Sequence, residues 1–210
     1  LGYVGLPTAA VMASRGFEVV GVDVNERAIA LINKGLVPIV EPDLDMLVHA
    51  AVTSGKLTAT TRPTPADAFI IAVPTPITDE HNPDLSYVEA ATDSIAPVLA
   101  RGNLVVVEST SPVGTTERVS AWLAERRPDL TLPHTAGCDA DIRVAHVPER
   151  VLPGRVLIEL VQNDRVIGGI SKKCAERAAE LYQTYAVGDI VLTGARTAEL
   201  VKLAENAYRD

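Results

Sequence analysis

Leu1-Gly2-Tyr3-Val4-Gly5-Leu6-Pro7 opens the chain, and the run Phe17 to Val22 that follows ends in Asp23. Gly2 and Gly5 have the spacing of the last two glycines in a G-x-G-x-x-G turn. The first of these lets the backbone approach a pyrophosphate, and the second lets a helix pack closely on a strand. Pro7 to Ser14 reads as that helix, with Gly16 as its stop. A pyrophosphate would rest on its positive N-terminal end. Two glycines alone suit any tight turn. Asp23 sharpens the reading, because it closes the next strand near the ~20-residue offset at which an acid bonds the adenosine ribose. Its charge disfavours a 2′-phosphate, so NAD is expected over NADP. Arg27 either softens that preference or is a solvated helix residue.

Working outward, strands and helices alternate. Asn25 can cap a helix to Asn33, with Gly35 beyond it, and Pro42-Asp43 opens another to about Thr53. Lys56 to Thr60 is a short strand. Ala68 to Val73 and Leu104 to Val107 are continuous apolar runs, as expected of strands buried on both faces. Ser86 to Leu99 and a segment ending at Arg126 are helical. Asp141 to Val147, Asp164 to Gly168 and Ile190 to Leu192 read as strands, Lys172 to Tyr185 as a helix, and Thr197 onward as a last helix. This alternation predicts an α/β chain with a Rossmann-type doubly wound parallel sheet. The strand that should precede Leu1 is missing from the given chain. In the strand order 3-2-1-4-5-6 it is central, so the sheet would be left with unpaired edges. The chain is therefore expected to extend upstream. It stops inside a helical pattern, so it is expected to extend downstream too. Residues 1–193 are assigned to the dinucleotide-binding domain and 194–210 to the start of a connecting helix.

The 210 residues carry 19 Lys+Arg against 27 Asp+Glu, a formal charge of −8. That balance argues against nucleic acid or an anionic membrane as partner. There is no apolar run of about 18 residues and no basic-then-apolar leader, so a cytoplasmic protein is expected. Cys138 and Cys174 are too few for a disulfide scaffold. His49, His81, His134 and His146 lack metal-ligand spacing and read as surface or strand residues, so no metal is expected.

Two further strand ends carry small polar residues: Val73-Pro74-Thr75-Pro76 and Glu108-Ser109-Thr110-Ser111-Pro112-Val113-Gly114-Thr115-Thr116. Ligands of open α/β sheets bind beyond such ends, so Thr75, Thr110 and Thr116 could line the ribose and nicotinamide side. Turn and N-cap chemistry explains the same residues. Lys202 and Asn206 are four apart on one helix face, with Arg209 three further on. Leu200, Val201, Ala204 and Tyr208 form the opposing apolar stripe. A cation beside an amide suits an oxyanion or a diphosphate; a solvated face with a Glu199/Lys202 pair suits the pattern equally.

Taken together, these stretches resemble the UDP-glucose/GDP-mannose dehydrogenase family. The matching segments are Gly2 to Pro7, Gly21-Val22-Asp23, Glu41-Pro42, Val73 to Pro76, Ser109-Thr110 with Pro112 to Thr116, Pro148-Glu149, and Lys202 with Asn206. Glu149-Arg150-Val151-Leu152-Pro153-Gly154 and Asn206 to Asp210 look most like the branch that oxidises UDP-N-acetyl-D-mannosamine. UDP-glucose and UDP-N-acetylglucosamine are the alternative substrates. The resemblance implies a four-electron oxidation. A sugar C6 alcohol gives one hydride to NAD, the aldehyde is captured by a cysteine thiolate, a second hydride leaves, and the thioester is hydrolysed to the uronate. It implies Gly2, Tyr3, Val4, Gly5, Asp23, Thr75 and Thr116 as cofactor-binding. It implies Lys202, Asn206, Glu149 and Thr110 as catalytic, with Glu149 and Thr110 holding the water. Arg150, Val151, Lys202, Asn206 and Arg209 would bind the sugar nucleotide. A homodimer or larger assembly is implied for the full enzyme.

One departure stands out. The nucleophilic cysteine of the family, in a Gly-Gly-x-Cys setting, is not in this chain, and the C-terminal sugar-nucleotide domain is absent. Cys138 and Cys174 are read as incidental, Cys138 exposed and Cys174 partly buried. The fragment alone is expected to be inactive. A β-hydroxyacid type of dehydrogenase, with a single two-electron oxidation, and a non-catalytic nucleotide-binding module are the competing readings.

Overall fold

The computed structural model describes residues 1–80 and 82–209, the side chain of Arg209 excepted. His81, Asp210 and the proposed contact of the Arg209 side chain therefore lie outside the described residues. The chain divides into two compact units. One comprises Leu1–Thr64, Arg150–Asn163 and Thr184–Gly188, and the other Pro65–Glu149, Asp164–Gln183 and Asp189–Asp210.

The first unit contains α1 (Gly5–Ser14), β1 (Val19–Val22), α2 (Glu26–Ile32), α3 (Leu44–Thr53) and β2 (Leu57–Thr60). The two strands pair in parallel, Val19 opposite Leu57 through Val22 opposite Thr60. Leu6, Ala10, Ala13, Ile32, Leu44 and Val48 fill the core of the unit with Leu57 and Ala59. Small alanines on the inner face of α1 let it lie close to its neighbours. Asn25 begins α2 as expected: its Oδ1 accepts the backbone N–H groups of Arg27 and Ala28 at 3.0 and 3.3 Å. A further helix, α7 (Val156–Gln162), also belongs here.

The second unit carries β3 (Ala68–Ile71), α4 (Ser86–Ile95), β4 (Leu104–Val107), α5 (Thr115–Arg126), α6 (Pro133–Ala136) and β5 (Arg143–His146). These are followed by β6 (Arg165–Gly169), α8 (Lys172–Tyr182), β7 (Ile190–Gly194) and α9 (Ala195–Arg209). Its sheet has the order β3-β4-β5-β6-β7. All four residues of β4 are fully buried, which explains its unbroken apolar run. Val105 and Val107 pack with Val88 of α4 and Val119 and Leu123 of α5.

The α/β architecture with parallel pairing is present, with one departure. β3/β4, β4/β5 and β6/β7 are parallel, but β5/β6 is antiparallel, with Ala145 opposite Gly169 and His146 opposite Gly168. The residues between β5 and β6, 150–163, belong to the other unit. No crossover helix within this unit imposes the parallel return that a βαβ connection would require. The strands of this chain form two sheets, β1-β2 and β3 to β7, as expected where the strand between them is missing.

Candidate functional site

In the first unit, the glycine turn leads into α1 as the spacing predicts. Val4 stands at the N-cap of α1 with no side chain capping the helix, and no acid lies in its first turn. The helix therefore presents backbone N–H groups and the positive end of its dipole without a side-chain partner. A side chain at Gly2 would meet nothing within 4 Å, so the turn leaves open space above itself. Tyr3 is half exposed, with its hydroxyl 3.5 Å from the Val40 carbonyl oxygen. Val4 is half-buried and Arg27 is exposed.

Asp23 follows β1. Its carboxylate accepts the Asn25 backbone N–H at 2.8 Å and the Leu1 amino group at 2.6 Å. Asp23 is an acceptor at a strand end, suited to a ribose diol. An uncapped helix end, an open turn and this acid fit a dinucleotide.

Arg150 and Val151 also lie in this unit, both half-buried. The Arg150 carbonyl accepts the Asn163 Nδ2 at 2.8 Å. The loop after them is tied by Glu41, whose two oxygens accept the backbone N–H groups of Gly154 (2.9 Å) and Val156 (2.8 Å). Glu41-Pro42 belonged to the resemblance without a role; its role here is to shape the loop that carries Arg150 and Val151.

In the second unit, the ends of β3 and β4 are laced together. Ser109 Oγ accepts the Val73 N–H at 2.9 Å and donates to the Val73 carbonyl at 2.8 Å. Thr75 donates its hydroxyl to the Thr110 carbonyl. Thr75 and Thr110 are therefore brought together, and Thr110 keeps a half-buried position at the strand end. Thr116 is fully buried and donates its hydroxyl to Glu199 at 2.6 Å. Glu199 also accepts the backbone N–H groups of Thr116 at 2.7 Å and Gly114 at 2.6 Å. The alternative Glu199/Lys202 surface pair is thereby replaced: Glu199 is buried and caps α5. A carboxylate already occupies that helix N-terminus, in contrast to the open one of α1.

The faces of α9 run opposite to an ordinary amphipathic helix. Lys202 is 8% exposed and Asn206 half-buried, while Leu200 is 57% and Tyr208 93% exposed. The expected polar stripe therefore points inward and most of the apolar stripe outward. A buried lysine needs a compensating partner, so this face is not the solvated one that a Glu199/Lys202 surface pair would give.

Glu149, expected at a strand end where such acids are usually exposed, is buried and pairs with Arg165, Nη1 to Oε2 2.7 Å. Sequence reasoning passed over Glu108, Arg165 and Tyr182. The Tyr182 hydroxyl donates to Glu108 Oε1 at 2.5 Å, and Arg165 stands 5.2 Å from the Tyr182 ring centroid. Burial, reinforced by the Glu149 charge, pushes the Glu108 carboxyl up to about 7. The available signal was Glu108 itself, an acid immediately after four apolar residues.

Cys174 is fully buried rather than partly so, and Cys138 is of intermediate exposure. Hydrogen bonds from the Lys173 backbone and from Ser171 draw the Cys138 thiol below its usual range. Among the described residues, no group of three His, Cys, Asp or Glu could hold a metal ion, and no helix is long and apolar enough to cross a membrane. His49 and His134 are exposed, and His146 is fully buried in β5.

Residues 1–186 match the NAD binding domain of the UDP-glucose/GDP-mannose dehydrogenase family. The chain belongs to that family. It is 64% identical over all 210 residues to an NDP-N-acetyl-D-galactosaminuronic acid dehydrogenase of Ralstonia nicotianae, covering 50% of that protein. It is 59% identical to a UDP-N-acetyl-D-mannosamine dehydrogenase of Campylobacter jejuni, covering 52% of it. Among solved structures, the UDP-D-ManNAc dehydrogenase of Pyrococcus horikoshii superimposes with a TM-score of 0.93 at 45% identity, over 100% of this chain and 49% of that one. The chain thus spans about half the length of the family members it matches. The matched residues 1–186 include the glycine turn, α1 and Asp23.

Proposed function

We propose that this chain is the NAD-binding half of a nucleotide-sugar 6-dehydrogenase that oxidises the C6 alcohol of a UDP-N-acetylhexosamine to the uronate. The observation that carries this reading is the match, along the whole chain, to dehydrogenases named for N-acetylated hexosamines and their uronic acids. UDP-N-acetylmannosamine is the favoured substrate. The R. nicotianae relative supports UDP-N-acetylgalactosamine as a second candidate.

NAD supplies the hydride acceptor when bound. The chain's own residues do the rest of the work assigned to this half. Gly2, Tyr3, Val4 and Gly5 with the α1 end seat the pyrophosphate, Asp23 accepts the ribose hydroxyls, and Thr75 and Thr116 are the cofactor-binding residues of the second unit. Lys202 and Asn206 donate to oxygen as negative charge develops on the substrate, the kind of preorganised donor set that acyl chemistry needs. Glu149, with Thr110, takes a proton and orients water for hydrolysis. Arg150, Val151 and Arg209 contact the sugar nucleotide. The thiolate nucleophile comes from the other half of the protein. Exposed Leu200 and Tyr208 on α9 support a dimer or larger assembly built on that helix.

The test counts NADH formed per sugar nucleotide by the full-length protein. UDP-N-acetylmannosamine, UDP-N-acetylgalactosamine and UDP-glucose are offered in parallel. Two NADH per UDP-N-acetylmannosamine, with UDP-glucose near background, is the expected result. Two NADH with UDP-N-acetylgalactosamine instead keeps the mechanism and changes the sugar. One NADH overturns the thioester route in favour of a single two-electron oxidation, and none with any sugar leaves a nucleotide-binding module.

A further inference from the structure

Glu149 belongs to a buried cluster whose other members, Arg165, Tyr182 and Glu108, have no role in the proposed reaction. β6 places Arg165 on the sheet face where Gly169, two pairs further along the same strand, lies against Ser171 and Ala175 at the start of α8. The Arg165 and Glu149 side chains are 2% and 4% exposed, with Nη1 and Oε2 2.7 Å apart. Behind the guanidinium stands the Tyr182 ring of α8, at 5.2 Å, and the Tyr182 hydroxyl donates to Glu108 at the end of β4. One cation therefore lies between two buried carboxylates.

We propose that Arg165 is the positioning residue for Glu149, holding its carboxylate fixed in direction, while Tyr182 and Glu108 hold the guanidinium from behind. The proposal rests on the reading of Glu149 as the proton-accepting, water-orienting group. A carboxylate this deeply buried would take up a proton unless a cation and hydrogen bonds compensated it. Arginine suits the place better than lysine, because its planar fork can donate to a carboxylate while its face lies on an aromatic ring. Among the ionisable groups facing Glu149, Arg165 comes from β6, Glu108 from the end of β4, and Tyr182 from α8 behind them. With burial favouring the neutral form of Glu108, the Arg165 charge is directed to Glu149.

The test measures kcat, KM and the pH profile of kcat in the full-length protein with NAD and sugar nucleotide. It compares Arg165→Lys, Tyr182→Phe and Glu149→Gln. Arg165→Lys is expected to lower kcat about tenfold with little change in KM, and to move the acid limb up by about one pH unit. Tyr182→Phe keeps the ring and loses only the hydroxyl that favours ionised Glu108, so it serves if Arg165→Lys does not fold; with Glu108 held more firmly neutral, a smaller shift in the opposite direction is expected. An acid limb unmoved in a folded Arg165→Lys, or in Tyr182→Phe where that variant decides, overturns the positioning role. If Glu149→Gln keeps full kcat, the reading of Glu149 itself fails, and the proposal with it. A slow Glu149→Gln beside an unmoved limb removes only the role of Arg165.

Discussion

The Glu199 carboxylate accepts the Thr116 hydroxyl at 2.6 Å, and through its two oxygens it also accepts the Thr116 and Gly114 backbone N–H groups. An acid from α9 thereby caps α5, one turn before Lys202 on its own helix. The contact sets the register of α9 on this unit, and so the direction in which Lys202 and Asn206 point. Glu199→Ala leaves three buried donors without an acceptor and is expected to cost about 3 kcal/mol, read as a lower urea midpoint. Thr116→Val removes one of the three and should cost about 1 kcal/mol. The double variant should cost less than the sum, since both changes act on one contact. Full additivity would show that the Glu199 carboxylate and the Thr116 hydroxyl are not coupled.

Glu108 and His146 should pull the pH dependence of stability in opposite directions. The folded Glu108 carboxyl is raised to about 7 from 4.5, so the stability it contributes is present below about pH 4.5 and lost as pH rises through 7. The His146 ring is buried in β5, and that burial lowers its pKa to about 4 from 6.5, outweighing a backbone hydrogen bond at Val107 that raises it. Its contribution is present above 6.5 and lost as pH falls towards 4. Glu108→Gln should therefore steepen the loss of stability on acidification, and His146→Phe should flatten or reverse it. Denaturation midpoints collected from pH 4.5 to 7.5 decide this; parallel curves for the two variants would contradict it.

Gly169 has no room for a side chain. A Cβ there would overlap the Ala175 nitrogen and the Ser171 carbonyl oxygen, both backbone atoms at the start of α8. Gly169→Ala is expected to destabilise by about 3 kcal/mol, because β6 or α8 must shift. Gly2→Ala, whose Cβ would meet nothing within 4 Å, should leave stability unchanged and weaken NAD binding instead. Thermal melting of both variants with and without NAD separates packing from cofactor approach.

The proposed role of Asp23 is to accept the adenosine ribose of NAD and to repel a 2′-phosphate. Asp23→Ala in the full-length protein should weaken NAD binding about tenfold, the loss expected when a charge-assisted hydrogen bond is removed. It should weaken NADP binding less, or improve it. Titration of both dinucleotides by fluorescence checks the ratio; an unchanged NAD to NADP preference would remove Asp23 from the cofactor site.

Most of what lies close together along the chain was legible. The glycine turn, the Asn25 cap, the buried β4 run and the placement of Asp23 after a strand all follow from the local rules of turns, caps and periodicity. So does the spacing that puts Lys202 and Asn206 on one face of α9. The helix α7 was missed because seven residues hold barely two turns, too few for a periodic signal.

What sequence alone determined is therefore the alternation of strand and helix and the residues that present polar groups at strand ends, because each depends on neighbours a few positions away. Only the tertiary structure decided which of those groups are occupied. Glu199 meets Thr116 across 83 positions, Tyr182 meets Glu108 across 74, and Arg165 meets Glu149 across the antiparallel return between β5 and β6. Contacts of that separation leave no periodic trace in a single chain. They are set by burial, which forces every charge removed from water to find its partner wherever the fold brings one within reach.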